Sequence, residues 1–125
     1  MDPNATLEML LDGIAVDDTE KVSEAAETLS QWISRGGFLP TILENWARHL
    51  KWYAKTYAAD RSVDFRFYLR ENGEFRGEVG DPSYDLDHSG YCGAGSIAAG
   101  ATLDDCRKAV AACLDDAVEF YFCGR

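Results

Sequence analysis

Apolar residues change their period twice along this chain. Up to about residue 57 they recur every three or four positions; from 63 to 79 they alternate; after 102 the helical spacing returns. Leu7, Leu10, Leu11 and Ile14 predict a first helix, with Asp2 as its cap and Pro3 at the first helical position, where a missing N–H costs nothing. Asp17 and Asp18 break it and cap the next, and Asp17-x-x-Glu20 reads as a capping box. Val22, Ala25, Ala26, Leu29, Trp32 and Ile33 form the stripe of a second helix, closed by Gly36-Gly37. The two make an αα-hairpin. A third helix follows Pro40, with Thr41-x-x-Glu44 as its capping box. Ile42, Trp46, Leu50, Tyr53 and Tyr57 form its inner face, opposite Arg48, Lys51 and Lys55.

Val63, Phe65, Phe67 and Leu69 then alternate with Asp64, Arg66, Tyr68 and Arg70, the pattern of a half-buried strand. A three-residue turn, Glu71-Asn72-Gly73, sets the register of the next strand. It pairs Leu69 with Phe75 and Phe65 with Val79 on one side, and Arg70 with Glu74, Tyr68 with Arg76 and Arg66 with Glu78 on the other. A two-residue turn would mix the faces, so the longer one is expected. A loop from Asp81 to Gly90 leads to a third strand over Tyr91–Ile97, weakened by Gly93 and Gly95. The last helix opens at Thr102 and runs to about Phe122, with Leu103, Cys106, Val110, Cys113, Leu114, Ala117 and Tyr121 inward. The predicted class is α+β: an N-terminal αα-hairpin and third helix, a three-stranded antiparallel β-meander and a C-terminal helix, in the order α-α-α-β-β-β-α. Residues 1–125 are read as one domain, in which the hairpin 1–37 can form a separable unit beside a core of 38–125.

Charge adds a second layer. The net charge is −10, which repels nucleic acid and anionic membranes and favours a protein partner with a basic surface. Its distribution is uneven: residues 1–37 carry eight acids and two bases, whereas residues 38–70 carry three acids and six bases. No apolar run approaches the length of a bilayer span, and the start has no basic segment followed by an apolar one. The expected setting is cytoplasmic, with four reduced cysteines, none in Cys-x-x-Cys spacing.

The candidate chemistry is sparse. Asp85-Leu86-Asp87-His88-Ser89-Gly90 matches the first half of a calcium loop, with Asp85, Asp87 and Ser89 as oxygen ligands, but Ser96 stands where the bidentate glutamate belongs. The same residues are what an ordinary solvated turn uses. His88 and Cys92 could begin a zinc site, with Cys106, Cys113 and Cys123 as further ligands, but Cys106 and Cys113 fall in an apolar stripe, the place of packing thiols. Cys92 with His88 could be a nucleophile and base, although no third residue orients the pair. The Gly93-Ala94-Gly95-Ser96-Ile97-Ala98 run fits a dinucleotide fingerprint without the βαβ unit that gives it meaning. Along Trp46–Tyr57, aromatic and basic residues interleave in sequence but separate on the helix. Arg48, Lys51, Trp52 and Lys55 are therefore candidates for an exposed contact patch. The expected function is that of a non-catalytic accessory or regulatory protein acting by protein–protein interaction, like an inhibitor, an immunity protein or a mimic of DNA, and no cofactor is expected. The alternatives are a divalent-cation module using Asp85–Ser89 and a thiol enzyme using Cys92.

Overall fold

Asp2 begins the first helix by accepting the Asn4 N–H at 3.0 Å, and this is α1, Pro3–Ala15. A computed structural model describes residues 1–57, 62–79 and 90–123 of the chain. After α1 come α2 (Thr19–Ser34), α3 (Thr41–Tyr57), β1 (Val63–Arg70), β2 (Phe75–Val79), β3 (Gly90–Ile97) and α4 (Leu103–Cys123). The fold is α+β in the expected element order, and no helix among the described residues is long and apolar enough to cross a membrane.

Each helix end shows which local hydrogen bonds won. The cap of α2 is Asp18, which accepts the Lys21 N–H at 3.1 Å, so the expected capping box at Asp17 and Glu20 lies one residue early. Asp17 instead takes a left-handed backbone, φ 58°, and turns its carboxylate to the Tyr121 hydroxyl at 2.9 Å. α2 closes with Gly36 at φ 85°, the Gly36 N–H donating to the Ile33 carbonyl and the Gly37 N–H to the Trp32 carbonyl. That is the paired closure only a residue tolerant of positive φ allows. At α3 the expected Thr41–Glu44 box is replaced: the Thr41 N–H donates to Asn4 Oδ1 at 2.7 Å, which frees the Glu44 carboxylate for other partners. The box at α4 is built from Thr102 and Asp105, each side chain accepting the other's N–H.

The β1–β2 hairpin has the three-residue turn, with Gly73 left-handed at φ 81°, and pairs Phe65 with Val79, Arg66 with Glu78, Tyr68 with Arg76 and Leu69 with Phe75. The sheet order, however, is β2-β1-β3. The three strands are therefore not a meander, because β3 runs antiparallel to β1 and not beside β2. β1 has the most complete apolar face and takes the central place, pairing with β2 on one edge and β3 on the other. Val79 lies opposite Phe65 and Gly90 opposite Arg70, so β2 and β3 are parallel and begin and end at opposite ends of β1. A tight turn cannot join such ends, which lie on the order of 20 Å apart, whereas the ten residues between them reach ~33 Å.

α1, α3 and α4 pack against the sheet, and α2 packs on α1 and α4. The core cluster takes Leu7, Leu10 and Ile14 from α1, Val22 and Leu29 from α2, and continues without a break into Phe65, Phe67, Val110 and Leu114. The hairpin is thus docked on the remainder by apolar contact, by the Asn4–Thr41 hydrogen bond and by the Asp17–Tyr121 hydrogen bond.

Candidate interaction surface

α3 is rotated from the orientation its aromatic residues suggest. Its buried stripe is Leu43, Ala47, Leu50 and Ala54, at i, i+4, i+7 and i+11. Ile42, expected inside, is 38% exposed. The alanines let α3 approach its neighbours closely, and the aromatic residues flank that seam instead of filling it. Trp46 packs edge-on against Phe67 at 5.5 Å between ring centres and His49 edge-on against Trp46 at 5.5 Å, and Trp52 stacks on His49 at 5.7 Å. Phe67 in turn stacks on Phe75 at 5.0 Å. A chain of rings therefore runs from the sheet to the surface and reaches Trp52, which is 52% exposed.

Arg48, Lys51, Trp52 and Lys55 are all exposed on this outer side of α3, so the helix brings the four sequence candidates together. Arg48 is i−4 to Trp52 and Lys55 is i+3, the spacings at which helical side chains are neighbours. Glu44, read from sequence only as half of a capping box, begins the same line. Its carboxylate accepts Arg107 Nη2 at 2.8 Å and Nε at 2.9 Å, and Arg48 Nε at 3.2 Å. Arg107 Nη1 also donates to Asp104 at 2.8 Å. Hydrogen bonding from Arg107, followed by its charge and that of Arg48, holds the Glu44 carboxyl below the usual carboxylate range against the opposing effect of burial.

A folded-state pKa below the unfolded one means stability that is present above the unfolded value, near ~4.3, and lost as pH falls through the folded value. Glu44→Gln should therefore flatten the acid limb of thermal stability below about pH 5, and differential scanning calorimetry from neutral pH downward checks this. Asp105, held low by its hydrogen bonds with Thr102, titrates in the same direction and leaves a residual slope. A Gln variant with an unchanged acid limb would show that the Arg107 pair contributes nothing to folding.

The remaining candidates do not converge on α3. Asp85, Asp87, Ser89 and His88 lie outside the described residues. Cys106 and Cys113 are buried in the inward stripe of α4, and burial pushes the Cys113 thiol up to about 12. Cys92 is on the opposite face of the sheet, since its neighbour Gly93 is the residue that meets α4. Burial raises the Cys92 thiol more than the Arg66 charge lowers it. Around it, Tyr68 is 2% exposed and donates to Glu78 Oε2 at 3.4 Å, while the Arg66 Nε is buried with no hydrogen-bond acceptor among the described residues. The glycine run 93–97 forms an antiparallel strand at the sheet edge, with no parallel neighbour among the described strands to make a dinucleotide site. No group of three His, Cys, Asp or Glu side chains suited to a metal ion occurs among the described residues. Compared with protein-family models, curated proteins and solved structures, the chain matches none.

Proposed function

We propose that the protein is a non-catalytic accessory or regulatory protein that works by docking on another protein, with the outer face of α3 as its contact surface. The observation that carries this reading is Trp52, half exposed, stacked on His49 and flanked by Arg48, Lys51 and Lys55. An indole left half in water forgoes roughly 100 Å² of apolar burial, or ~2–3 kcal/mol. Docking another protein on the face recovers that free energy, and Trp and Arg are the residues most enriched where interfaces concentrate their energy. The preformed ring stack also limits the side-chain entropy lost on binding.

A second reading has its own observation. Glu20, Glu24 and Glu27 are exposed on α2 at i, i+4 and i+7, so an inhibitor-like or DNA-mimicking role against a basic partner would use this acidic line. The two readings separate in one experiment. Tagged full-length protein, its Trp52→Ala variant and its Glu20→Lys/Glu24→Lys/Glu27→Lys variant are used as baits in extracts of the source cells, with quantitative mass spectrometry. Partners lost roughly tenfold or more with Trp52→Ala and kept by the α2 variant are the expected result. Loss confined to the α2 variant would move the interface to the hairpin, and no specific enrichment by any bait would end the binding reading.

A further inference from the structure

Beside the contact face of α3 lies a groove of about 650 Å³, bounded by the α2–α3 loop, the first turns of α3 and the first turn of α4. Its loop side is apolar, made by Ile33, Phe38 and Leu39, and Arg48 belongs both to its helical side and to the patch around Trp52. Phe38 is 85% exposed, yet its backbone is pinned. Its carbonyl accepts the Trp32 Nε1–H at 2.8 Å, and Gly37 lies so close to the Trp32 ring that a Cβ there would overlap it. A whole phenyl ring is thus held in water at the rim of a cavity by a loop with little freedom to withdraw it.

The charges around this cavity fall into two sets. Arg48 and Arg107 are matched by Glu44 and Asp104, and the Arg107 Nε, Nη1 and Nη2 all donate to these two carboxylates. Lys108 on the groove wall, and Lys51 and Lys55 farther along α3, make no ion pair among the described residues, although Asp105 lies near enough to Lys108 to feel its charge. In a chain of net charge −10, an apolar recess with Lys108 on its wall and Lys51 and Lys55 farther along the adjoining helix is complementary to a segment that carries acids around a large apolar residue.

We infer that the groove seats an apolar anchor residue of an acidic partner segment, packed against Phe38, Ile33 and Leu39, with the segment's carboxylates facing Lys108, Lys51 and Lys55. This rests on the α3-face reading and adds the partner's chemistry and the place of its anchor. A second copy docked face to face is a poorer occupant, since the Lys108, Lys51 and Lys55 charges of the two copies would repel each other.

The test is selection of a random displayed 12-residue peptide library on the immobilised full-length protein, followed by titration of the enriched peptides as synthetic compounds. Enriched sequences should place acidic residues around an aromatic residue or leucine. Phe38→Glu/Lys108→Glu, which changes only exposed side chains, should weaken them about tenfold or more without lowering the melting temperature. Peptides that bind this variant normally but are lost on Trp52→Ala would overturn the groove while leaving the α3 face intact. Enriched basic peptides, lost on the Glu20/Glu24/Glu27 lysine variant, would overturn both. Failure to enrich any peptide, or a concentration-dependent dimer in sedimentation that Phe38→Glu abolishes, would also overturn the acidic-segment inference.

Discussion

Gly93→Ala is expected to destabilise the protein by at least ~3 kcal/mol or prevent its folding, at or beyond the upper end of ordinary overpacking. A Cβ at position 93 would run into the Cys113 carbonyl oxygen, and would also lie 2.8 Å from the Cys113 carbonyl carbon and 3.0 Å from the Ala117 nitrogen. All three are backbone atoms of α4, so no rotamer change makes room, and the helix itself must leave the strand. That movement would open the seam that buries Cys113, Leu114 and Ala117. Gly100 supplies the control, since a Cβ there meets nothing within 4 Å. Gly100→Ala should leave stability within ~0.5 kcal/mol, or raise it slightly by restricting the unfolded chain. Urea denaturation followed by far-ultraviolet circular dichroism separates the two, and a Gly93→Ala protein as stable as its parent would mean that α4 does not approach β3 so closely.

Leu43→Ala should cost about 2–5 kcal/mol while Ile42→Ala, one residue away, costs less than ~1 kcal/mol. Leu43 is fully buried and Ile42 is 38% exposed, so adjacent apolar residues on one helix differ in what their removal leaves behind. The first deletion opens a cavity in the seam between α3 and the core; the second removes methyl groups that already face water. Equal losses would place the rotation of α3 where its aromatic residues alone suggest. The comparison is also a test of the contact surface, because the same rotation is what brings Trp46, His49 and Trp52 to the flank.

What could be read from the chain before its structure, and what could not, divides along the same line. The β1–β2 register was legible to the residue pair because two independent constraints, apolar alternation and opposite charges across the strands, admit only the three-residue turn. The caps at Asp2 and Thr102 and the close of α2 at Gly36 were legible because they depend on neighbours in sequence. α3 was misread because tryptophan and tyrosine are apolar by composition but too large for the seam, where Ala47 and Ala54 fit. Sheet order was misread because a meander pairs strands that are successive in sequence, whereas the pairing of β3 with β1 is decided by tertiary packing. The four patch residues were found from helical spacing alone. Glu44 was taken for a cap, and its bond to Arg107 spans a sequence separation of 63, which no local pattern encodes. Phe38 gave no signal beyond being an apolar residue in a loop.

The Asp17–Tyr121 contact joins residues 104 positions apart, and α4 is the element that covers β3 and touches α2, α3 and β1. During synthesis from the N-terminus, the αα-hairpin and the β1–β2 ribbon can form from contacts already outside the ribosome. The covering face of the sheet cannot be closed until α4 has emerged nearly to its end. Until then Phe65, Phe67 and Leu69 lack the cover of α4, and the emergence of that helix, not of the early ones, sets the moment at which this apolar sheet is withdrawn from chaperones and from other nascent chains.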